Sequence, residues 1–439
     1  MLLVGEPGPI EPLMRDKTFF AEGLQGCVLD TAHGGIVGPP GLRWVSGRVS
    51  TRAQPEVNLS VVVFPFKEED HDVVISNVGT AAGNDRVTNV VCVGFEEEST
   101  YDAINRAIPA IEQSTGTPVS LLLQERIGLL RPGKGDGMNT ALRFFLEQSN
   151  ADRLHFYDSD ITSFTAEWID KAEAAADAGY DVVRHYFPRS STDAMITWMV
   201  TRTGFAVLWP DSELPLIEQP LGGELLFTRR VVEHLVTEAP VQAQSDWGID
   251  TLYTFATVKR GFSVFETYIR QGKIHKLYGS LTDLQTMVIE CFAAIQSLRG
   301  IPMPATTPHQ IEEATEVPMA IKEKVAYDVE RTIQLLAAEW TPHQQDLLAP
   351  FPLVVRDGLL AARAYPRFSF MDDQAWFETY ITLLDHFVKD DPDWEALLFK
   401  LWIARVLQYT ISQALRGYDH AVVHLRNMVD SYRMLAPPT

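Results

Sequence analysis

From Asn58 onward, apolar and polar positions alternate between two periods. Leu59-Ser60-Val61-Val62-Val63-Phe64-Pro65-Phe66 is a continuous β-branched and aromatic run, the pattern of a central strand covered on both faces. Helical spacing follows over residues 72–82, a strand over 90–95, a helix over 100–113 capped by Ser99 or Thr100, and a strand over 119–123. A helix over 137–147 leads to a strand that ends at Asp158. Beyond it the pattern predicts a helix over 166–178, a strand over 181–186, a Met- and Trp-rich helix over 194–200 and a strand over 262–268. Such a run of βαβ units implies an α/β sheet with parallel central strands and a ligand crevice at their carboxyl ends.

The flanks differ. Residues 1–57 are rich in Gly and Pro with little periodicity and read as a poorly structured N-terminal extension with a short strand over 42–49. A Pro-rich hinge over 301–308 separates the α/β part, 58–300, from an all-α part, 301–439. There the apolar spacing predicts helices over 319–340, 344–360, 373–388, 394–415 and 418–434, with Thr341-Pro342 and Asp391-Pro392-Asp393 as helix starters. The stripe Trp394, Leu398, Leu401 and Trp402 reads as bundle core or as a face for homo-oligomer formation.

The charge balance narrows the partners. A net charge of −21 and a pI near 4.9 disfavour nucleic acid and anionic membrane, which are bound through clustered Lys and Arg. An acidic enzyme for an anionic substrate must concentrate positive charge locally or use a metal. Cys27, Cys92 and Cys291 are too dispersed for zinc or a disulfide framework and fit buried thiols in a reducing cytoplasm. No segment approaches the ~18 apolar residues of a membrane span, and the N-terminus lacks a basic stretch leading into an apolar one, so a soluble cytoplasmic protein is expected.

Candidate chemistry collects at strand ends. Asp158-Ser159-Asp160 follows an apolar strand and delivers two hard oxygen donors to the sheet edge, where a divalent cation can neutralise a diphosphate; acidic turns also carry this tripeptide. Lys67 closes the first strand within reach of a phosphate or base edge, or stands there as a solvated lysine. Arg131-Pro132-Gly133-Lys134-Gly135-Asp136-Gly137-Met138-Asn139 is a glycine-rich turn opening a helix, suited to an anion. It is neither a Walker loop nor a dinucleotide signature, which removes the main support for kinase and dehydrogenase readings. Arg189, after Arg184-His185-Tyr186-Phe187-Pro188, suits a carboxylate clamp, with an ion pair to Asp193 as the competing reading. Leu221-Gly222-Gly223-Glu224 offers backbone groups to a sugar, and Asp246 and Asp250 flank Trp247, an indole able to stack on one. His275 is either structural or, with Asp160, part of a mixed oxygen and nitrogen site that suits Mn²⁺ or Mg²⁺.

Together, Val63-Phe64-Pro65-Phe66-Lys67, the 131–142 turn and helix, His155-Phe156-Tyr157-Asp158-Ser159-Asp160, Arg184 to Arg189, Glu218-Gln219-Pro220-Leu221-Gly222-Gly223-Glu224, and Ser245 to Tyr253 resemble the mannosylglycerate synthases. The likeness runs from about Leu59 to the C-terminus and includes Phe399-Lys400-Leu401-Trp402 and Ala414 to Asp419. It implies a Rossmann-like GT-A nucleotide-sugar domain followed by an all-α C-terminal domain, and transfer of mannose from GDP-α-mannose to D-glycerate with retention, giving the compatible solute α-mannosylglycerate. It further implies that Lys67, Glu69, Gln124, Lys134 and Asp158 line the nucleotide pocket, with Tyr278 near the diphosphate. By the same resemblance Asp160 and His275 bind the metal, Arg189 and Thr197 take glycerate, and Leu221, Gly222 and Asp250 face the mannose. Phe95 stands where the family is expected to carry Tyr.

Retention needs either a carboxylate nucleophile or attack from the leaving-group side. Front-side attack is favoured, because Leu221 and Gly222 offer a carbonyl dipole and no carboxylate. Two other functions compete. A sugar nucleotidyltransferase shares such a sheet, but Pro65-Phe66-Lys67 occupies the place of its Gly-rich phosphate loop. A non-catalytic nucleotide-sugar-binding protein would need another purpose for Asp158, Asp160 and His275 together.

Overall fold

The structure, a computed structural model, describes residues 58–275, 280–304, 306–337, 340–362 and 368–436, and the backbone of 28–30 and 35–37. Residues 1–57 and 58–439 are separate compact units. In the first, β1 (Val28–Asp30) and β2 (Gly35–Val37) form an antiparallel pair. The strand expected over 42–49, like the rest of that extension, lies outside the described residues.

The second unit is built on an eight-stranded sheet. Its strands are β3 (Ser60–Pro65), β4 (Val87–Gly94), β5 (Val119–Leu123), β6 (Arg153–Phe156), β7 (Val182–Tyr186), β8 (Leu225–Thr228), β9 (Val264–Tyr268) and β10 (His309–Ile311), in the order β10-β9-β7-β8-β6-β3-β4-β5. In β3, successive side chains enter opposite faces: Val61 and Val63 join one core cluster, Val62 and Phe64 the other. That two-sided burial is why the strand reads as an unbroken apolar run. The chain winds outward through β4 and β5, then returns along the Lys134–Gln148 helix to β6 on the other side of β3. The reversal makes the carboxyl ends of β3 and β6 a topological switch point, where open α/β sheets bind ligands.

Three features depart from the expected pattern. β8 is antiparallel to both β6 and β7; a strand of four residues is too short to announce a direction. β10 lies within the stretch expected to be helical and extends the sheet beside β9. The 319–340 and 344–360 segments each divide, into Met319–Lys322 and Val329–Leu336, and into Pro342–Leu347 and Leu353–Ala362. Asp373–His386, Pro392–Ser412 and Tyr418–Leu435 form as expected, with Thr341 and Asp391 capping their helices through side-chain hydrogen bonds. The cap expected at Ser99 or Thr100 falls instead at Glu98, which makes no side-chain cap bond.

The helical part shares the main core. Trp394, Leu398, Leu401 and Trp402 are all buried in it. The segment expected as a helix over 194–200 is a π-helical turn, Thr197–Arg202, continued by Thr203–Leu208. Two of its backbone carbonyls are taken by the C-terminal helices: Trp376 Nε1 donates to Met199 at 3.1 Å and Tyr380 Oη to Val200 at 2.8 Å. The helices beyond residue 370 thus fix the irregular turn that opens with Thr197.

Under the switch point lies a buried polar cluster. Arg153 and His155 of β6 face Glu173 on the Ala166–Asp177 helix; His155 Nε2 is 2.8 Å from its carboxylate, and Ser60 and Arg153 also bond to it. His155 Nδ1 lies 3.0 Å from the Tyr157 hydroxyl, the residue before Asp158. Although burial opposes ionisation, the His155 hydrogen bond and charge, with Ser60 and Arg153, bring the Glu173 carboxyl down to about 2. A carboxylate depressed from its unfolded value stabilises the fold above the unfolded pKa and loses that contribution as pH falls through the folded one. Glu173→Gln is therefore expected to lower stability at pH 7 by about 3 kcal/mol in urea melts, and the gap to the parent should shrink between pH 4.5 and about 2. A gap that does not change over that window would show that Glu173 is not stabilised as the anion.

Candidate active site

A cavity of about 360 Å³ opens at the carboxyl ends of β3 and β6. Each wall follows from a local sequence feature. Lys134 starts the Lys134–Gln148 helix after the Pro132-Gly133 turn. Asp136, fully buried in the first turn, accepts from the backbone N–H of Ile127 and Gly128 and from Arg126, so it ties the preceding loop to the helix. Gly223 approaches so closely that a Cβ there would stand 2.6 Å from Lys134 Nζ and 2.8 Å from Asp158 Oδ1. Ala194, also on the wall, holds the left-handed backbone conformation at φ 57°, costly for a residue with a Cβ and frequent near functional sites.

Charges of opposite sign alternate across the floor. Lys134 Nζ lies 3.0 Å from both Asp158 and Asp250, while Lys273 Nζ bridges Asp158 and Glu224, the latter at 2.6 Å. Burial alone would depress the Lys134 ammonium, but Asp158, Asp250 and Glu224 hold it well above its usual range. Burial likewise works against the Asp158 anion, yet Lys134 and Lys273 keep its pKa well below the usual carboxylate value. Burial raises Asp250 and Glu224, only partly offset by the lysines. One carboxylate oxygen of each, Asp250 Oδ1 and Glu224 Oε2, is buried and accepts no hydrogen bond.

At the cavity's side, Asp160 Oδ2 and His275 Nδ1 are 3.8 Å apart. Two ligand atoms each about 2.1 Å from one ion can be no more than about 4.2 Å apart, so this pair fits a shared Mn²⁺ or Mg²⁺. Burial, then Lys273 and Arg189, lowers the His275 pKa and favours the neutral imidazole that ligates metals. Burial and the neighbouring Asp158 raise Asp160, so a cation beside it would be favoured.

Most of the residues expected from the sequence meet here. Lys67, Glu69, Gln124, Lys134, Asp158, Asp160, Arg189, Thr197, Leu221, Asp250 and His275 all line the cavity, as does Phe95. Gly222 is buried behind Leu221, its carbonyl accepting from Arg184 at 3.1 Å, so it meets the cavity through its neighbour and not directly. Tyr278 lies outside the described residues. Arg189 stacks on Phe187 with 5.0 Å between guanidinium and ring and pairs only loosely with Asp193 at 3.8 Å, which leaves its donors available. Lys273 carries no signal in the sequence beyond its place two residues before His275. Met287, on the Gln285–Ser297 helix, and Ala326 and Tyr327, in the loop between Met319–Lys322 and Val329–Leu336, also reach the wall, as no strand-end motif could indicate.

The family model described as the mannosylglycerate synthase GT domain matches residues 60–297, and that of the mannosylglycerate synthase C-terminal domain matches 321–429. The mannosylglycerate synthase of Rhodothermus marinus is 58% identical over 378 residues, which cover 86% of this chain and 95% of that one. The mannosylglycerate synthase of Selaginella moellendorffii is 55% identical over 375 residues, covering 84% and 89%. Among solved structures, glucosyl-3-phosphoglycerate synthase from Mycobacterium tuberculosis, in complex with Mn²⁺, UDP and glucosyl-3-phosphoglycerate, is 19% identical, with a TM-score of 0.44 over 56% of this chain and 81% of that chain. With both of its family's models matched along the chain and relatives at more than half identity, this protein belongs to the mannosylglycerate synthase family of glycosyltransferases.

Proposed function

We propose that the chain transfers mannose from GDP-α-mannose to D-glycerate with retention, forming α-mannosylglycerate, and that Asp160 and His275 hold a Mn²⁺ or Mg²⁺ ion for the reaction. The observation that carries this reading is the placement of the Asp160–His275 pair, 3.8 Å apart, in one cavity with Lys67, Lys134, Lys273 and the available guanidinium of Arg189. Such a cavity suits a diphosphate beside a carboxylate acceptor.

Each residue then has a task. Lys67, Glu69 and Gln124 lie where the nucleotide would enter, and Lys134, anchored between Asp158 and Asp250, holds the floor rigid beneath the diphosphate. Asp160 and His275 would hold a divalent cation, which would supply charge to stabilise the departing GDP. Arg189 grips the acceptor carboxylate through parallel N–H donors, and Thr197 offers a hydroxyl to the same molecule. Because the clamp reads only the carboxylate, lactate or glycolate would be held as well. Asp250, which lines the cavity with Oδ2 held by Lys134, would face a sugar hydroxyl.

Front-side attack remains the favoured route to retention. Asp250 is already committed to Lys134 through Oδ2, and Leu221 brings only backbone polar groups to the sugar. The donor's leaving phosphate oxygen would take the glycerate hydroxyl proton. A nucleotidyltransferase would act on GDP-mannose only with added pyrophosphate, giving GTP and mannose 1-phosphate, and a pure binding protein would form no product.

Incubation with GDP-mannose, D-glycerate and Mn²⁺ is expected to release GDP only when glycerate is present, and chelation by EDTA to abolish it; GDP release that does not need glycerate, or GTP and mannose 1-phosphate formed instead on addition of pyrophosphate, would overturn the reading. Arg189→Met should raise the glycerate KM by ~100-fold, with GDP affinity unchanged in calorimetry, since a charge-assisted clamp contributes roughly 2–3 kcal/mol. Asp250→Asn should keep a measurable single-turnover rate, because the amide still binds a hydroxyl. A mannosyl adduct trapped on Asp250 would replace front-side attack with a double displacement.

A further inference from the structure

The turn that carries Leu221 is held from beneath by two charged residues that no strand-end motif singles out. Arg184 on β7 and Glu266 on β9 are register partners on adjacent parallel strands, and both are fully buried. Glu266 accepts the backbone N–H of Glu218 at 2.9 Å and that of Gln219 at 3.4 Å, which fixes the entry to the turn. His309 of β10 lies 2.9 Å from the same carboxylate and so joins the sheet edge to the clamp.

Arg184 takes the carbonyls. Its guanidinium donates to Gln219 at 3.2 Å, to Pro220 at 3.4 Å and to Gly222 at 3.1 Å. Thr254, from the Ile249–Arg260 helix that also carries Asp250, donates to the Pro220 carbonyl at 2.7 Å. Of the four carbonyls from Gln219 to Gly222, only that of Leu221 accepts no hydrogen bond from a described residue. Leu221 is also the member of the four that lines the cavity. Buried carbonyls are rarely left without a partner, and buried polar side chains are costly unless their hydrogen bonds are used. Here Arg184 Nε and Nη2 and both Glu266 oxygens are spent on one short turn, while Arg184 Nη1 is buried without a hydrogen-bond partner among the described residues.

We propose that Arg184 and Glu266 are positioning residues for sugar transfer, clamping the Gln219–Gly222 turn so that Leu221's carbonyl alone remains to face the donor sugar. This role rests on the transfer reading above. A fixed dipole beside the reacting carbon acts only if it needs no reorganisation when charge develops. Misplacing it by about 1 Å can cost on the order of 100-fold in rate. The clamp acts on the sugar side alone, because the nucleotide-side residues Lys67, Glu69 and Gln124 come from other segments.

The test compares Arg184→Met, Arg184→Lys and Thr254→Val with the parent in full-length protein, measuring kcat, the GDP-mannose KM, GDP affinity by calorimetry and thermal midpoint. Thr254→Val, nearly isosteric, covers the case in which Arg184→Met does not fold. The expected outcome is a fall in kcat of ~100-fold for Arg184→Met and ~10-fold for Thr254→Val. Arg184→Lys should recover part of the loss, with KM within about threefold and GDP affinity within about twofold of the parent throughout. The proposal is overturned if folded Arg184→Met or Thr254→Val keeps parental kcat, or if losses follow only the folded fraction or GDP affinity. A parent protein silent with GDP-mannose and glycerate would instead refute the transfer reading, and the clamp with it.

Discussion

The site depends on how three buried carboxylates and two buried ammonium groups are placed. Lys134 stands between Asp158 and Asp250, and Lys273 between Asp158 and Glu224. An isolated charge at this depth would cost several kcal/mol, so each group is tolerable only because its neighbours carry the opposite sign. The arrangement fixes the relative positions of the strand end after β6, the first turn of the Lys134–Gln148 helix, the Gly222-Gly223 turn and the start of the Ile249–Arg260 helix. Those four segments are the floor of the cavity. The cluster also retains one surplus negative charge, and Asp160 adds a second nearby, so the site has its own electrostatic reason to draw in a divalent cation.

Geometry carries that cluster's rigidity outward. Glu173 and His155 brace β6 from the side away from the cavity, and the chain Glu173–His155–Tyr157 ends one residue before Asp158. On the other flank Arg184 and Glu266 grip the turn ahead of Glu224. Behind both, Trp376 and Tyr380 take carbonyls of the π-helical turn that begins at Thr197. The segments beyond residue 300 therefore act on the site in two ways: they satisfy irregular backbone buried beneath it, and through the loop residues Ala326 and Tyr327 they supply part of its wall.

What could be read from residue order alone follows from these physical links. Strand ends were legible because β3 and β6 are buried on both faces and stop at charged residues, so Lys67, Asp158 and Asp160 announced themselves. The glycine-rich turn before Lys134 was legible for the same reason, as backbone chemistry written into composition. Many finer assignments, including Gln124 and Thr197, came through family resemblance and not through spacing; the residues alone left His275 either structural or paired with Asp160, and the resemblance chose the pairing. Lys273 and the pair Arg184 and Glu266 were not legible at all in these roles. Their partners are separated by tens of residues, and a lysine or glutamate within a strand or loop looks the same whether it faces solvent or its opposite. β8 escaped for a different reason: four residues, Leu225 to Thr228, contain nothing that distinguishes parallel from antiparallel.

On the proposed reading, a protein of net charge −21 receives a diphosphate donor and a carboxylate acceptor and faces repulsion at long range. Salt screens that repulsion beyond about 8–10 Å, so what matters is the charge met inside the cavity. There Lys67, Arg131, Lys134, Arg189 and Lys273 line one small volume. Lys134 and Lys273 are already balanced by carboxylates and cannot serve as mobile counter-ions; they hold the floor. Arg189, paired only loosely with Asp193 at 3.8 Å, is the cation left for the acceptor on the proposed reading. On that reading the diphosphate would look for its compensation mainly to the Asp160–His275 side and to Lys67, while the acceptor would look to Arg189, and the two anions would be kept apart as the sugar passes between them.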